Sequence, residues 1–590
     1  MRWLILIACL SIAPAHGAES REQPRQPERV PYVAAGAPRE PKVSAQWNRY
    51  YDYGEATALL KRLAAAHPDH ARLVSLGRSH GGRELWLLTV TEFARGDARE
   101  KPAFWLDGGI HANEVQSVEA VLYTAWYLLE MRAQNERIEQ LLRRRAFYIM
   151  PMMSPDGREA HMYQPATMNT PRGGTRPFDD DNDGLVDEDP VDDLDGDGHI
   201  TQMRVRDPNG RYKPHEKFPR VMVRAEADEP GTYRLLGQEG YDNDGDGRVN
   251  EDGLGYYDPN RDWPWQWQPR YVQTGAARYP LDVRENRAVA RFIIEHPNIA
   301  GAQSLHNTGG MIIRGPGLKS DHYPAADRRV FDALAQRGTE ILPNYRYLAL
   351  GDELYSGHGV EIDWFFRMRG VFAFTNELFT PRHFFRDGGG DGFVANKETR
   401  ERFDRYLLLG EGTVEWHEVE HPQYGTIEVG GMKKNWGRQP PSFMLEEESH
   451  RTAAFLIYHA QQLPLLEIGP VRIDELDGGL TQVTATISNR RLTPTHAAAD
   501  LEHNITRPDL ISIALRDEAA RDGREFSVVA GLISDEPYFI DAREQAREPH
   551  SLRVENIPGM GAVHVRWLVR GDGPYTIRVD SEKGGRARWP

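Results

Sequence analysis

The chain has 590 residues, a formal net charge of −16 and a single cysteine, Cys9. That length exceeds one ordinary hydrophobic core, so two or three domains are expected, while a lone cysteine excludes a disulfide framework. The acid is local: residues 179–197 carry eleven acidic side chains and no basic one, residues 242–252 carry five against Arg248, and together they hold −15 of the −16, which leaves no basic surface for nucleic acid.

Residues 1–18 combine Arg2, a short apolar run and small residues around Ala15-His16-Gly17, the layout of a cleaved secretory signal. Export, either to the periplasm or out of the cell, is therefore expected, with no membrane attachment after removal. Residues 19–47, rich in Pro, Arg and Glu, read as a linker or exposed tail.

In WLDGGIHANE the apolar stretch Ala103 to Leu106 reads as a strand, and VQSVEAVLYTAWYLLEM after Glu114 carries a helical apolar stripe. His111 and Glu114 thus lie where a strand hands over to a helix, the place where ligands bind in α/β sheets. Two nitrogens and a carboxylate suit zinc, with a fourth position open. The spacing alone is common, since His358/Glu361 and His417/Glu420 repeat it.

Three segments then set oxygens at alternate positions before a glycine: Asp179, Asp181, Asp183 with Gly184; Asp193, Asp195, Asp197 with Gly198; and Asp242, Asp244, Asp246 with Gly247. Ca²⁺ takes roughly six to eight oxygen ligands, and its charge makes such a crowd of carboxylates tolerable. The twelfth positions are Pro190, Arg204 and Gly253, so none is a complete EF-hand; the loops resemble those of dockerins and thrombospondin repeats. Asp187, Asp189, Asn250 and Asp252 are the expected additional ligands, for up to three Ca²⁺ ions, and a solvated acidic loop is the alternative.

After Gly469 short runs such as QVTATISN and AVHVRWLVRG alternate in period two, with Val563, Val565, Trp567 and Val569 on one face. Residues 466–590 are expected to form an all-β sandwich without catalytic residues.

From about Tyr50 to about Tyr458, YDYGEATALL with its following GGRELWLLTV, the WLDGGIHANE corner, SPDG, YYDPNRDWPW, IAGAQSLHNTGG, YSGHGVEIDW and FTNEL succeed one another in order. This series resembles the zinc metallocarboxypeptidases of the carboxypeptidase A type, peptidase family M14. The resemblance implies an α/β domain over residues 48–465, a mixed central sheet flanked by helices, with the Asp-rich segment at about 178–255 as an insertion. It implies zinc on His111, Glu114 and His306, and Asp258 orienting His111. Asn260 and Arg261 match the pair that grips a terminal carboxylate, although Asp262 stands where the family has Asn. Arg172, with Arg176 as rival, matches the oxyanion-stabilising arginine, Tyr355 the tyrosine that closes over substrate, and Glu377 the general base. Ile362, beside Val360 and Thr375, falls at the pocket for the terminal side chain, which favours an apolar or small residue there. The implied activity, taken with the signal segment, is an exported zinc-dependent carboxypeptidase acting on peptides with a free C-terminus. The insertion departs from the family, and the place of its Asp-rich loops in the chain leads to the separate expectation that bound calcium shapes one wall of the cleft. A peptidoglycan-type amidase or endopeptidase on the same fold, or a calcium-stabilised binding protein without turnover, remain the alternatives.

Overall fold

A computed structural model describes residues 34–179, 183–385, 395–521, 526–571 and 573–590. The signal segment, most of the expected tail and Asp181 lie outside the described residues. Helix α1 (Tyr53–Ala66) opens the α/β unit, and Asp52 caps it through the Glu55 amide while Glu55 reaches back to the Asp52 amide.

The central sheet is mixed. Its strands are β1 (Ala71–Arg78), β2 (Glu84–Val90), β3 (Ala103–Gly108), β4 (Ala146–Met150), β5 (Ile299–Asn307), β6 (Met311–Arg314), β7 (Arg346–Ala349) and β8 (Phe372–Leu378), in the spatial order β1-β2-β4-β3-β5-β8-β6-β7. The inner strands β4, β3, β5 and β8 run parallel, and their side chains are buried on both faces. Alternation along β3 feeds two cores. Phe104 and Leu106 pack with α1, α2 (Gln116–Met131) and a long helix at Ser442–Gln461. Ala103 and Trp105 pack on the other face with α3 (Arg284–Glu295), Trp263 and Trp364. Another helix, α4 (Ala325–Ile341), covers the edge strands through Phe331 and Leu334.

The expected Asp-rich insertion contains more than loops. Strands at Gln202–Arg206, Tyr212–Pro214, Met222–Arg224 and Tyr233–Gln238 join a hairpin from far along the chain, Thr413–His421 with Gly425–Met432, in one six-stranded sheet. Its small core is Met203, Ile427 and Val429.

At the C-terminal end, a five-stranded sheet and a four-stranded sheet pack about a common apolar core. Along Ala562–Arg570 the side chains of Val563, Val565, Trp567 and Val569 all point inward, as period-two alternation dictates. This unit docks on the α/β unit through Asp327 of α4, which accepts the amides of Ala498 and Ala499. Lys583 adds a second tether by donating to the carbonyls of Arg369 and Gly370.

Candidate metal centre

Three adjacent parallel strands deliver the site. β3 ends at Gly108, Gly109 takes a φ of +64° that favours glycine, and the chain turns to present His111. Glu114 follows just before α2, held where its Oε2 accepts the Asn307 amide at 3.1 Å. His306 lies near the end of β5, directly opposite Glu377 of β8 in the parallel register. The carboxyl ends of neighbouring strands thus converge on one point.

His111 Nδ1 lies 3.0 Å from Glu114 Oε1, His306 Nδ1 lies 3.0 Å from Glu114 Oε2, and the two Nδ1 atoms are 3.1 Å apart. All three residues are buried. Two imidazole nitrogens and a carboxylate converging this closely form a donor set that a cation satisfies. Ligands at about 2.0 to 2.1 Å from one tetrahedral ion stand roughly 3.3 Å apart, close to the spacing here, so this donor set fits Zn²⁺. The far side of His111 is fixed, since its Nε2 lies 2.9 Å from Asp258 Oδ1.

Asp258 also accepts 2.7 Å from Arg172 Nε, and Arg172 Nη1 reaches Glu114 Oε1 at 3.5 Å. Burial raises the Asp258 carboxyl, but Arg172, His111 and Arg261 outweigh it and hold the group well below the usual carboxylate range. Burial likewise opposes the Arg172 charge and is overcome by Asp258 and Glu114. Arg176, the rival arginine, is elsewhere: it pairs with Asp282 at 2.8 Å and lies over Tyr257.

Arg261 Nη2 donates to the Tyr355 hydroxyl at 3.2 Å, and Tyr355 is 48% exposed. Asn260 Oδ1 accepts the Glu361 amide at 2.9 Å. Asp262 does not intrude on this pair, because its carboxylate accepts the amides of Asp282 and Val283 just before α3. Burial pushes Asp262 up to about 7.

Glu377 is raised to about 7, by burial first and by the Glu114 charge second. Its Oε2 is buried with no hydrogen-bond partner among the described residues.

Two groups were given no site role from the sequence. Arg438 Nη1 contacts Glu114 Oε1 at 3.3 Å and donates to the Asn307 carbonyl at 2.7 Å, while Nη2 donates to Asn169 Oδ1 at 2.8 Å. The second, Glu361, was visible beside Ile362 in YSGHGVEIDW. It is fully buried, and the Ser304 hydroxyl lies 2.7 Å from its Oε2 and 2.6 Å from Asp107 Oδ1. One hydroxyl proton cannot serve two carboxylates. Burial and Asp107 together raise Glu361 well above the carboxylate range, which makes Glu361 the protonated partner. Ile362 itself packs in an apolar cluster with Val360, Met311 and Leu348.

The acidic loops divide differently from the sequence pattern. Asp193, Asp195 and Asp197 close into one cluster and Asp242, Asp244 and Asp246 into another, but Asp183 groups with Glu188 and Asp244 across loops. Asp179 pairs with Arg270 at 3.5 Å, and Asp189 accepts the amides of Asn243 and Asn250; Asp181, the expected partner of Asp179, lies outside the described residues. Asp187 takes a left-handed backbone with φ of +50°, and Asp252 is buried and bridges to Asp189 through the backbone.

A mixed sheet whose parallel strands cage a His-Glu-His set defines a metal-centred α/β protein. Residues 56–179 and 237–405 match the zinc carboxypeptidase family model, interrupted at the insertion, and the chain belongs to that family, M14. Residues 465–589 match a domain family of unknown function. The chain is similar to carboxypeptidase B of Astacus astacus, 35% identical over 111 residues, or 19% of this chain and 34% of that protein. It is also similar to carboxypeptidase Z of Homo sapiens, 34% identical over 121 residues, or 20% of this chain and 19% of that protein. The matched stretch thus spans about a third or less of these relatives. Among solved structures, carboxypeptidase A from Helicoverpa armigera aligns with a TM-score of 0.41 at 16% identity, covering 70% of this chain and 74% of that one.

Proposed function

We propose that the protein is an exported zinc-dependent carboxypeptidase that hydrolyses the C-terminal peptide bond of peptides. The observation that carries this reading is the convergence of His111, Glu114 and His306 beside an unpartnered buried carboxyl oxygen of Glu377. Those three residues would hold Zn²⁺, which would supply Lewis acidity and make water acidic enough to attack near neutral pH. Glu377 takes the proton from the attacking water and passes it to the departing amine. Its burial beside the Glu114 charge, which outweighs His306, Arg438 and Arg172, suits a carboxyl that must exchange a proton near neutral pH. Arg172, kept charged by Asp258, donates to the oxygen on which negative charge develops. Arg261 and Asn260 hold the terminal carboxylate, with Tyr355 closing over it. Ile362 and its apolar neighbours favour an apolar or small terminal side chain, and the neutral, protonated state of Glu361 is consistent with that.

The reading includes Ca²⁺ in the insertion. Asp193 accepts the amides of Gly196 and Gly198, and Asp242 accepts those of Gly245 and Gly247, so two loops of unrelated flanks share one curl. In both, three carboxylates face together.

Metal analysis of the purified protein, paired with assays on peptides bearing free or amidated C-termini, tests the proposal. One zinc per chain and release of terminal residues only from free ends is the expected result. Glu377→Gln is expected to retain zinc and lose on the order of 10² to 10⁴ in kcat. Equal cleavage of amidated peptides would remove the exopeptidase claim, and an unchanged rate in Glu377→Gln would remove the mechanism.

A further inference from the structure

A cavity of about 270 Å³ lies between the insertion sheet and the segments after Glu377, lined by Asn169, Met222, Met432 and Trp436 among others. Its charged lining residues are Arg220, Lys397, Arg400 and Glu401. Arg220 is fully engaged, with Glu401 at 2.8 Å, Asp404 at 3.0 Å and Glu415 at 3.1 Å, so that cation and Glu401 cancel. Among the described residues, Lys397 Nζ donates to a neutral acceptor, the Met222 carbonyl, at 3.0 Å. Arg400 is the anomaly. Its Nη1 points at the Met432 thioether, 3.1 Å away, and its Nε is buried with no hydrogen-bond partner among the described residues. Burial draws it down to about 10.

A largely buried guanidinium whose acceptor is a sulfur is a costly arrangement unless an anion enters beside it. The cavity adjoins the metal centre, because Asn169 in its wall accepts from Arg438, which in turn contacts Glu114. The terminal residue of a bound peptide is taken by Asn260 and Arg261, so chain beyond the metal centre is the upstream part of the substrate.

We propose that this cavity is a subsite for an acidic side chain of the peptide upstream of the cleaved bond, with Arg400 and Lys397 as its carboxylate-binding groups. The assignment rests on the carboxypeptidase reading and adds to it a substrate class, peptides acidic near but not at their C-terminus. A guanidinium and an ammonium on one wall match a carboxylate held by charge-assisted hydrogen bonds. Arg220, already paired with three carboxylates, fixes the wall and is not counted among the groups that bind the ligand.

The test uses the zinc-loaded full chain and matched peptides that carry Glu or Gln at the second, third or fourth position from a common C-terminal residue. A preference for Glu of tenfold or more in kcat/KM at one of these positions is expected, and Arg400→Gln is expected to bring that ratio toward one. Lys397→Gln, at an exposed position, gives the same direction of change should Arg400→Gln melt early. Equal rates for every pair, or a preference that survives both substitutions, overturns the subsite. If no peptide is cleaved, the carboxypeptidase reading fails instead, and calorimetric binding of the same pairs still decides the subsite. Tenfold tighter binding of the Glu peptide, lost in Arg400→Gln, supports it, and equal binding overturns it.

Discussion

Asp258 serves two partners whose needs coincide. One oxygen fixes His111 through Nε2 and so turns Nδ1 toward Glu114 and His306, while the other holds Arg172 against the same site. Replacing it by Asn keeps the shape but removes the charge that orients the ring and neutralises Arg172. Asp258→Asn is expected to weaken zinc binding by roughly 10- to 100-fold. Competition against a chelator of known affinity measures this directly, and an unchanged zinc affinity would show that His111 needs no such orienter. At this scale the sequence was legible where function sits at a corner of regular structure. His111 and Glu114 stand between a strand run and a helix run, and His306 and Glu377 end their strands. Arg438 was not legible, because a lone arginine in KNWGRQP reaches Glu114 only through the path of the whole chain. Glu361 was in view as half of the common His358/Glu361 spacing and was given no role, since its link through the Ser304 hydroxyl to Asp107 comes from distant strands.

Among elements, the insertion sheet was the least legible. QMRVR and YRLLGQ carry too much charge for a clear alternation, and the two strands that complete the sheet, from Thr413 to Met432, lie far beyond Glu377. What joins the halves is largely polar. Arg204 is 6% exposed, donates from Nε to Glu428 Oε2 at 2.7 Å and lies 3.9 Å from the Trp416 ring centre and 4.3 Å from that of Tyr233. A buried ion pair adds little over a well-packed apolar pair, yet removing one partner strands the other charge. Glu428→Ala is therefore expected to cost about 3 to 5 kcal/mol in the integrity of this sheet. Thermal melts and limited proteolysis between residues 202 and 240 check it. The double variant Arg204→Met with Glu428→Leu is expected to recover most of the loss, and failure to recover would assign the cost to packing on Trp416. By contrast, the C-terminal strands were plain from the sequence, because each strand such as Ala562–Arg570 buries one face and wets the other.

The whole molecule is joined at a buried charged network. His496 lies 3.3 Å from Asp509 and 3.4 Å from Asp500, and Asp500 accepts 2.8 Å from Lys583, which also donates to the carbonyls of Arg369 and Gly370 just before β8. Burial lowers the His496 pKa, but hydrogen bonds to Asp500 and Asp509 overcome it and raise the imidazole from 6.5 to about 9. The folded chain then keeps this proton where the unfolded chain has released it. The stabilisation is complete below about pH 6.5, declines above it and is gone once pH has risen through about 9, an effect on the order of 3 kcal/mol. Because Lys583 links the same cluster to the strand that carries Glu377, the loss is felt at the junction of the two units rather than within either core. Denaturant unfolding at pH 6.5, 8 and 9.5 is expected to show the native chain losing about that much more stability than His496→Gln over the interval. Parallel pH slopes for the two proteins would mean that the imidazole carries no extra proton in the fold, and the tether would then reduce to Lys583 and the Asp327 contacts with Ala498 and Ala499.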